Sequence, residues 1–461
     1  MNFIKMNSEL RKYYWFEINA HRLILMPIIL FAYFLLIFVI KHSFRGSLLT
    51  IRDTIMVIYF ILVMIWGGKQ ASESVVSEVN DHTWDSVRMT PITPLEMVIG
   101  KLFGPTLFCW YGGLFCIIAY IISILFFSKT LLHFKFLGVM ALNGMMCHAV
   151  IISMTLIDIQ KHASADKIGH STYSILGILF SAWISIQGAT ALKKTRYMVE
   201  WYGTHVSYMD MVLLSVIFFT IWALIGLYRN MRVQLQLNNG PWIWIIFLLT
   251  LSIYLSGFLF IVKPNQNVSG VVLGSLYTGF LICLLLTYVM IFCESKNSID
   301  FRLMVQKINK KQWKALGNSL PIWLLSFLMS CFFLLIILMS SILSQQGGVR
   351  LNVAYFHSVV PLWLLLSLFC FLIRDIGIIL FFNFKNRKSG KADITSFVYL
   401  LILYILIPSI LFAAKWEAAL YLFLPLIDTS MLLSMVGIMI QLALVYILLI
   451  DVWNKITVNH P

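Results

Sequence analysis

The sequence predicts an all-α protein that crosses a membrane many times, and three observations support this fold class. Sixty per cent of the 461 residues are apolar and 11% are charged, whereas soluble domains carry about 25% charged residues. The apolar residues gather into long runs, and a helix that crosses the hydrocarbon core needs about 20 of them. Short basic loops separate these runs. This composition excludes both a soluble enzyme and a disordered protein.

Twelve stretches are apolar enough to be spans, and we expect both chain ends to be cytosolic. Of the 34 Lys and Arg residues, 23 fall on the side of the termini and 11 on the other side, which predicts this orientation. The polar, basic start of the chain has no small-residue cleavage site and predicts a retained signal-anchor. The predicted spans are Leu23–Ile40, Thr54–Trp66, Leu102–Phe127, Phe136–Ile157, Tyr173–Leu192, Met209–Leu227, Trp242–Val262, Val268–Phe292, Pro321–Leu343, Tyr355–Ile373, Ile394–Ala414 and Thr429–Leu449.

The spans divide into two halves of six, 1–235 and 236–461, which a polar linker joins. An even number of spans gives both halves the same orientation. This arrangement allows a parallel repeat about an axis along the membrane normal, a common plan of transporters. In each half the longest cytosolic loop follows the second span and has an acid near its start, Glu73 or Glu294. These similarities between the two halves indicate a duplicated transport protein.

The segment 67–101 carries the most information on mechanism. Valines recur in it at near-helical spacing among charged residues, which predicts an amphipathic cytosolic helix over 69–88. Thr93 and Glu96 form the pattern of a capping box, with Pro94 at the first helical position. A helix, a Pro-rich turn and a new span would together act as a rigid lever. The same pattern also fits an ordinary interfacial helix.

Four short motifs stand in order within this segment: Glu73, Thr83-Trp84-Asp85, Pro91-Ile92-Thr93 and Gly100-Lys101. This order resembles the loop between the second and third helices of type-two ABC exporter permeases. In that family an acid, a Thr-Trp-Glu-like step, a Pro-Ile-Ser or Pro-Ile-Thr turn and a Gly-Lys entry recur; Asp85 stands where Glu is commoner. In the second half, Arg374-Asp375-Ile376-Gly377 and the stretch after Lys391 resemble bacterial permeases of the same kind.

The resemblance implies a coupling helix near 69–88 that docks on an ATP-binding subunit, with the loop 293–320 as a second coupling element. It implies one chain with two such subunits, which would hold the ATP and Mg²⁺; we expect no cofactor or metal on this chain and no nucleic-acid partner. The sequence contains no G-x-x-x-x-G-K-[ST] motif for binding nucleotide phosphates. The implied coupling residues are Glu73, Glu78, Thr83, Trp84, Asp85, Arg88, Pro91, Glu294, Arg374 and Asp375.

Polar residues inside the predicted spans are candidates for a transport pathway, because burying them in lipid is costly. These candidates are Asn143, His148, Gln187 and Gln441. Hydrogen bonding between helices is the alternative explanation for each of them. We expect Arg374 and Asp375 at the cytosolic boundary of the span 355–373, although a span extended to Phe384 would bury them deeper. No Asp or Glu then lies near the middle of a span, which argues against proton or sodium coupling.

Three functions remain open from the sequence. The first is the permease of an ABC-type exporter in the cytoplasmic membrane of a bacterium, since the Lys-, Asn- and Ile-rich usage suggests an AT-rich genome. The second is a secondary transporter of the major facilitator plan, whose short Gly-, Asp- and Arg-containing loop is not present here. The third is a membrane acyl or glycosyl transferase, with Asn143 and His148 as acyltransferase candidates. The sequence does not distinguish among amphiphiles, drugs, lipid-linked glycans and peptides as the substrate.

Overall fold

The structure is a computed structural model, and its contacts group the chain into two units. The first unit is Met1–Val199 with His205–Asn239, and the second is Glu200–Thr204 with Gly240–Pro461. Each unit is described by itself. The residues that the structure describes are 7–18, 20–41, 43–125, 130–161, 173–237, 239–259, 268–294, 296, 298–343, 348–353, 356–385, 389–420, 422–424 and 431–458.

The chain up to residue 234 forms ten helices and one hairpin within the described ranges. Helices α3 and α4 are joined by a π-helical turn, Phe60–Trp66, so a single continuous helix covers Gly46–Asn80. In chain order the elements are α1 (Ser8–Glu17), α2 (Ala20–Lys41), α3 (Phe44–Tyr59), α4 (Gly67–Asn80), α5 (Trp84–Arg88), α6 (Pro94–Phe103), α7 (Leu107–Ile124), α8 (Thr130–Lys161), α9 (Tyr173–Lys193), β1 (Met198–Trp201), β2 (Thr204–Ser207) and α10 (Tyr208–Gln234).

Helix α8 is the centre of the first unit. Two thirds of its most apolar stretch is buried, and α4, α9 and α10 all pack against it. The core around it contains side chains with no exposed surface, among them Tyr59, Val63, Val139 and Ile151. The first part of the continuous helix, α3, packs against α7 and its last part, α4, packs against α8, so that helix is held along its length.

The second predicted span, 54–66, is much too short. The sequence interpretation ended it before Gly67 and Gly68, but these glycines lie inside the continuous helix and allow close packing. A Cβ atom on Gly67 would lie 2.7 Å from His148 Nε2, and one on Gly68 would lie 2.7 Å from Ile151 Cδ1. The glycine pair therefore lets α4 approach α8 and does not end the helix.

The described part of the chain after residue 240 is also mainly helical. Helix α12 packs on α15, and α16 packs on α17 and α20. The elements are α11 (Trp242–Leu259), α12 (Val268–Cys293), α13 (Ser298–Asn309), α14 (Trp313–Ser319), α15 (Ile322–Leu343), β3 (Gly348–Val353), β4 (Phe356–Pro361), α16 (Leu362–Lys385), α17 (Ser389–Leu401), a π-helical turn (Ile402–Leu406), α18 (Ile407–Ala413), α19 (Glu417–Leu420) and α20 (Met431–Val458).

Two antiparallel hairpins depart from the predicted all-α class. The pair β1–β2 turns through Tyr202 and Gly203, whose φ angles are 48° and 73°. Two positive φ angles are typical of the tight turn that suits strand twist. The pair β3–β4 runs from Gly348↔Pro361 to Val353↔Phe356, so the tenth predicted span does not begin at Tyr355. Short strands between long apolar runs carry little sequence signal.

The structure confirms a multi-pass helical membrane protein, since eleven helices among the described residues are long and apolar enough to cross a bilayer. The prediction was twelve. The remaining candidate is α11, an apolar helix of 18 residues, near the lower limit of about 17 residues for a membrane span. The orientation of the termini stays a prediction.

We predict that Gly67→Ala destabilises the protein. The new methyl group would overlap the imidazole of His148, which has no exposed surface and is held by Val63 O at 2.8 Å from Nε2. Overpacking of this kind costs about 1–3 kcal/mol, so the thermal unfolding midpoint in detergent should fall. The matched control is Gly226→Ala in α10, where nothing lies within 4 Å of the added atom; its midpoint should stay equal or rise. Equal midpoints for Gly67→Ala and wild type would contradict the prediction.

Candidate functional site

The helix predicted over 69–88 is two helices, because α4 ends in a tight turn. The Thr83 N–H donates to the carbonyl of Glu78 at 2.9 Å, and His82 has a φ of 56°. A left-handed residue followed by this longer hydrogen bond is a common way to end a helix. The short helix α5 then runs from Trp84 to Arg88. We call the segment 81–93, which consists of this turn, α5 and the exposed bend after α5, the tip.

The other end of the tip is fixed by the predicted capping box, which the structure confirms. The Thr93 N–H donates to Glu96 Oε2 at 2.9 Å, and the Glu96 N–H donates to Thr93 Oγ1 at 3.3 Å. These hydrogen bonds lower the pKa of the Glu96 carboxyl. Helix α6 begins at Pro94, directly after the cap. Both ends of the tip are thus defined by hydrogen bonds of the backbone.

A buried ammonium group lies behind the tip. Lys101 has no exposed side-chain surface, and its Nζ donates to Glu78 Oε1 at 2.6 Å. It also donates to the hydroxyl of Tyr13 at 3.1 Å and to the carbonyl of Ser74 at 3.3 Å. Glu9 Oε2 lies 3.8 Å from the same nitrogen. Burial lowers the pKa of Lys101, but the two carboxylates oppose that change and favour the charged form.

Helix α1 is held against α6 by this network and by close backbone approach. A Cβ on Gly100 would lie 2.5 Å from the Cβ of Glu9, and one on Gly104 would lie 2.5 Å from Cδ2 of Tyr13. The amide of Asn7 donates to the carbonyl of Glu96 at 2.8 Å. The sequence interpretation gave α1 no role. The available signal was the spacing of Glu9 and Tyr13, since residues four apart share one helix face.

The predicted coupling residues of the first unit divide into a buried and an exposed set. Glu78 is 7% exposed and Trp84 is 5% exposed, so both are held inside the fold. The others reach the surface or its edge. The carboxylate of Asp85 is 78% exposed and lies 3.2 Å from Arg88, and Glu73 is partly exposed beside Lys69. The remaining exposed members are Thr83 and Pro91.

The second unit contains a helix end of the same kind. Lys311 has a φ of 54°, and the Gln312 N–H donates to the carbonyl of Lys307 at 3.0 Å, so α13 ends as α4 does. A short helix follows in both cases, α5 after α4 and α14 after α13. Glu294, predicted as a coupling residue, accepts the Ile322 N–H at 2.9 Å and caps the start of α15; its coupling role stays a prediction.

The position predicted for Arg374 and Asp375 at a cytosolic boundary is wrong. Both lie near the middle of the 24-residue helix α16 and are 1% and 0% exposed. The helix can continue through the apolar interior to Phe384, because the opposite charges of Arg374 and Asp375 lie 2.7 Å apart and neutralise each other. The statement that no acid lies near the middle of a span is wrong for the same reason.

Three hydrogen-bonding side chains and one aromatic ring surround this pair. Asp375 Oδ2 accepts the hydroxyls of Tyr288 at 2.6 Å and Tyr404 at 2.5 Å. Arg374 Nη1 donates to Gln441 Oε1 at 2.6 Å, and the guanidinium carbon lies 4.7 Å from the centre of the Phe371 ring. Gln441, predicted as a pathway residue, thus belongs with Arg374 and Asp375.

The pathway candidates of the first unit do not form one site. Asn143 donates to the carbonyl of Ser181 at 2.9 Å and to the hydroxyl of Ser185 at 3.0 Å. His148 donates from Nε2 to Val63, so both side chains tie α8 to its neighbours. Gln187 lies apart from them and accepts the hydroxyl of Tyr208. Each candidate has a hydrogen-bond partner, as expected for residues that join helices.

Comparisons of the chain with protein-family models, with curated proteins and with solved structures find no match. They therefore identify neither a family nor an activity. What the protein does must be inferred from its own residues and their geometry.

We predict that Lys101→Ala strongly destabilises the protein. The change removes the fully buried ammonium and leaves Glu78 and Glu9 with only Lys12, whose Nζ lies 2.8 Å from Glu78 Oε1 and whose side chain is 41% exposed; breaking a buried ion pair costs about 3–5 kcal/mol. Chemical denaturation in detergent micelles should show a lower midpoint. The matched control is Lys69→Ala, because the Lys69–Glu73 pair is solvent-exposed and should contribute little. Equal losses in the two variants would contradict this account.

We predict that Arg374 and Asp375 are energetically coupled. Arg374→Met leaves a buried carboxylate unpaired and Asp375→Asn leaves a buried guanidinium unpaired, so each should cost about 3–5 kcal/mol. The double variant removes both charges, while the new Asn still accepts from Tyr288 or Tyr404. Its loss of stability should therefore be smaller than the sum of the single losses. Additive losses would show that the pair is not coupled.

Proposed function

We propose that this protein is the membrane-spanning permease of an ATP-driven, type-two ABC exporter in a bacterial cytoplasmic membrane. Separate ATP-binding subunits, two per chain, would supply ATP and Mg²⁺. The tip (81–93) and α4 would be the first coupling element. The observation that carries the proposal is the exposed tip, which is fixed at both ends and directly follows the continuous helix 46–80.

The continuous helix supports this proposal because it can act as a lever between the tip and the membrane. Residues 46–80 form one helix, and a helix of 35 residues is about 52 Å long, which exceeds the bilayer core of about 30 Å. Its last turns therefore extend beyond the membrane, where α4 ends at the tip. A force on the tip would move the helix as a unit, because the buried pair of Lys101 and Glu78 joins α4 to α6.

The surface of the tip favours a protein partner. Asp85 is 78% exposed, Met89 is 86% exposed and Leu95, just after the tip, is 57% exposed. A helix made for lipid would place its acids away from its apolar side chains, whereas this surface mixes an aspartate, an arginine and a large apolar side chain. Mixed surfaces of this kind suit an interface with an aromatic or basic partner patch.

The segment 298–319 supports a second coupling element in the other unit. It repeats the order of a helix, a left-handed turn residue and a short helix, with Lys311 in the place of His82. Trp313 at the start of α14 is 65% exposed. Two such elements on one chain are what two ATP-binding subunits would require.

A secondary transporter is the alternative that one observation favours. Asp375 lies at the middle of a span, and an acid at this depth is a default candidate for ion coupling. The carboxylate, however, is paired with Arg374 and accepts two tyrosine hydroxyls, so its charge is fully compensated. Proton coupling needs an acid that gains and loses its proton during transport. We therefore favour the exporter, and a membrane transferase finds no support in the geometry.

The test is to purify the tagged chain from its native host in mild detergent and measure co-purifying ATPase. We predict about two ATP-binding subunits per chain and an at least tenfold loss of them in the Glu73→Lys/Asp85→Lys variant. Both side chains are accessible, so charge reversal should break docking without disturbing the core. Glu78 and Trp84 are unsuitable because they are buried.

The matched control is Asp53→Lys, which reverses another exposed carboxylate of the first unit far along the chain from the tip. It should retain the ATPase and the same unfolding midpoint as wild type. If the chain purifies without an ATP-hydrolysing partner, or if the tip variant keeps its partner, the proposal is overturned. Gradient-driven transport would then be measured with Asp375→Asn.

A further inference from the structure

The ends of α4 and α13 are built on the same backbone hydrogen bonds, at a constant offset of 229 residues. In each case three successive N–H groups donate to carbonyls four, three and five residues earlier. The middle residue of the three is left-handed, and a tryptophan two residues later begins the next short helix. The three donors are Asp81, His82 and Thr83 in the first unit and Lys310, Lys311 and Gln312 in the second. We call residues 78–88 the first frame and residues 307–317 the second frame.

The two frames are similar in their uncharged residues. At the same offset, one asparagine and one tryptophan are identical, and two apolar positions keep their character. These pairs are Val79 with Ile308, Asn80 with Asn309, Trp84 with Trp313 and Val87 with Leu316. The sequence thus repeats together with the hydrogen bonds.

The charges of the two frames are opposite. The first frame has three acids and one arginine, a net charge of −2, whereas the second has four lysines and no acid, a net charge of +4. Each acid of the first frame has a lysine at the equivalent position of the second. These pairs are Glu78 with Lys307, Asp81 with Lys310 and Asp85 with Lys314.

The reversed charges reach the surface at two of these three positions. The carboxylate of Asp85 is 78% exposed, and Asp81, Lys310 and Lys314 are exposed as well. Glu78 differs because it is buried within the first unit. A partner that touches the frames would therefore meet carboxylates on the first and ammonium groups on the second.

The tryptophan that the frames share adds a second difference. Trp84 is 5% exposed, whereas Trp313 is 65% exposed and stands between Lys310 and Lys314 in the chain. Aromatic side chains are enriched in protein interfaces, where charged residues lie mainly at the rim. The second frame therefore suits a partner with an apolar pocket and an acidic rim.

Two identical ATP-binding subunits would offer the same docking surface to both frames. A surface acidic enough to attract Lys310 and Lys314 would repel Asp81 and Asp85, because the shared backbone geometry puts these charges at equivalent positions. Like charges brought together across an interface weaken binding and exclude the wrong partner. The reversal thus favours two docking surfaces of different chemistry.

We propose that the two frames dock on two different ATP-binding subunits, one with a basic docking surface for the first frame and one with an acidic docking surface for the second. The assembly would then contain one copy of each subunit per permease chain. This assignment rests on the proposed function and specifies the partners of the same coupling elements.

The test is to purify the tagged full chain from its native host in mild detergent without nucleotide and to quantify the co-purifying proteins by mass spectrometry. We expect two different ATP-binding sequences, each at about one copy per chain. Asp81→Lys/Asp85→Lys should lose one of them at least tenfold and keep the other within twofold. Lys310→Glu/Lys314→Glu should show the reciprocal loss. Nucleotide is omitted so that the two subunits are not held together by bound ATP.

Matched controls reverse one exposed charge elsewhere in each unit. Asp53→Lys and Lys455→Glu do so, and both should retain the two subunits. The unfolding midpoint should be the same in the controls and in the paired variants, since all the altered side chains lie at the surface. If a reversal lowers the midpoint, the neutral pairs Asp81→Asn/Asp85→Asn and Lys310→Gln/Lys314→Gln replace it, with at least a threefold loss of the same subunit expected.

The outcomes separate this assignment from the proposed function. A single kind of ATP-binding subunit at two copies per chain, or loss of the same subunit in both paired variants, would overturn the assignment and leave the exporter proposal standing. Absence of any ATP-binding subunit would overturn both. Anionic lipid also attracts lysines; if Lys310→Glu/Lys314→Glu keeps both subunits and loses bound phosphatidylglycerol instead, the second frame binds lipid and the assignment is wrong.

Discussion

The burial of one ammonium group, that of Lys101, organises the end of the first unit that carries the tip. A buried lysine is tolerated only where its charge is compensated and its N–H groups are satisfied. Glu78 supplies the charge, while Tyr13 and Ser74 accept further hydrogen bonds. Three separate stretches of chain are therefore tied to one point. An independent movement of any one of three elements, the end of α4, helix α1 or helix α6, would expose that charge or leave it unpaired.

This constraint explains why the tip can be exposed and still be rigid. An exposed bend between two helices is ordinarily the most mobile part of a chain. Here the turn at His82 and the cap at Thr93 fix its two ends, and Trp84 is buried behind it. Stiffness passes onward because α4 joins α3 through a π-helical turn without a break. Such turns are frequently found at functional positions in helices.

The sequence predicts the membrane class and most helices because apolar runs and capping residues are local signals. The Thr93–Glu96 cap is of this kind and is correct. Features that depend on distant residues could not be predicted. Gly67 and Gly68 look like a helix end, and only the approach of His148 and Ile151 shows that they are packing sites. Glu78 looks like a surface acid until Lys101, 23 residues later, is placed beside it.

The error at Arg374 and Asp375 shows how charges enter a span. Ending a predicted span at a charged residue assumes that each charge is hydrated separately. Adjacent opposite charges, however, compensate each other at 2.7 Å. Two tyrosines and Gln441 then add three hydrogen bonds to the pair. A cluster of this kind is costly to take apart, because any movement that separates α16 from α20 breaks the bond from Arg374 to Gln441. The second unit is therefore expected to move these two helices together in any conformational change.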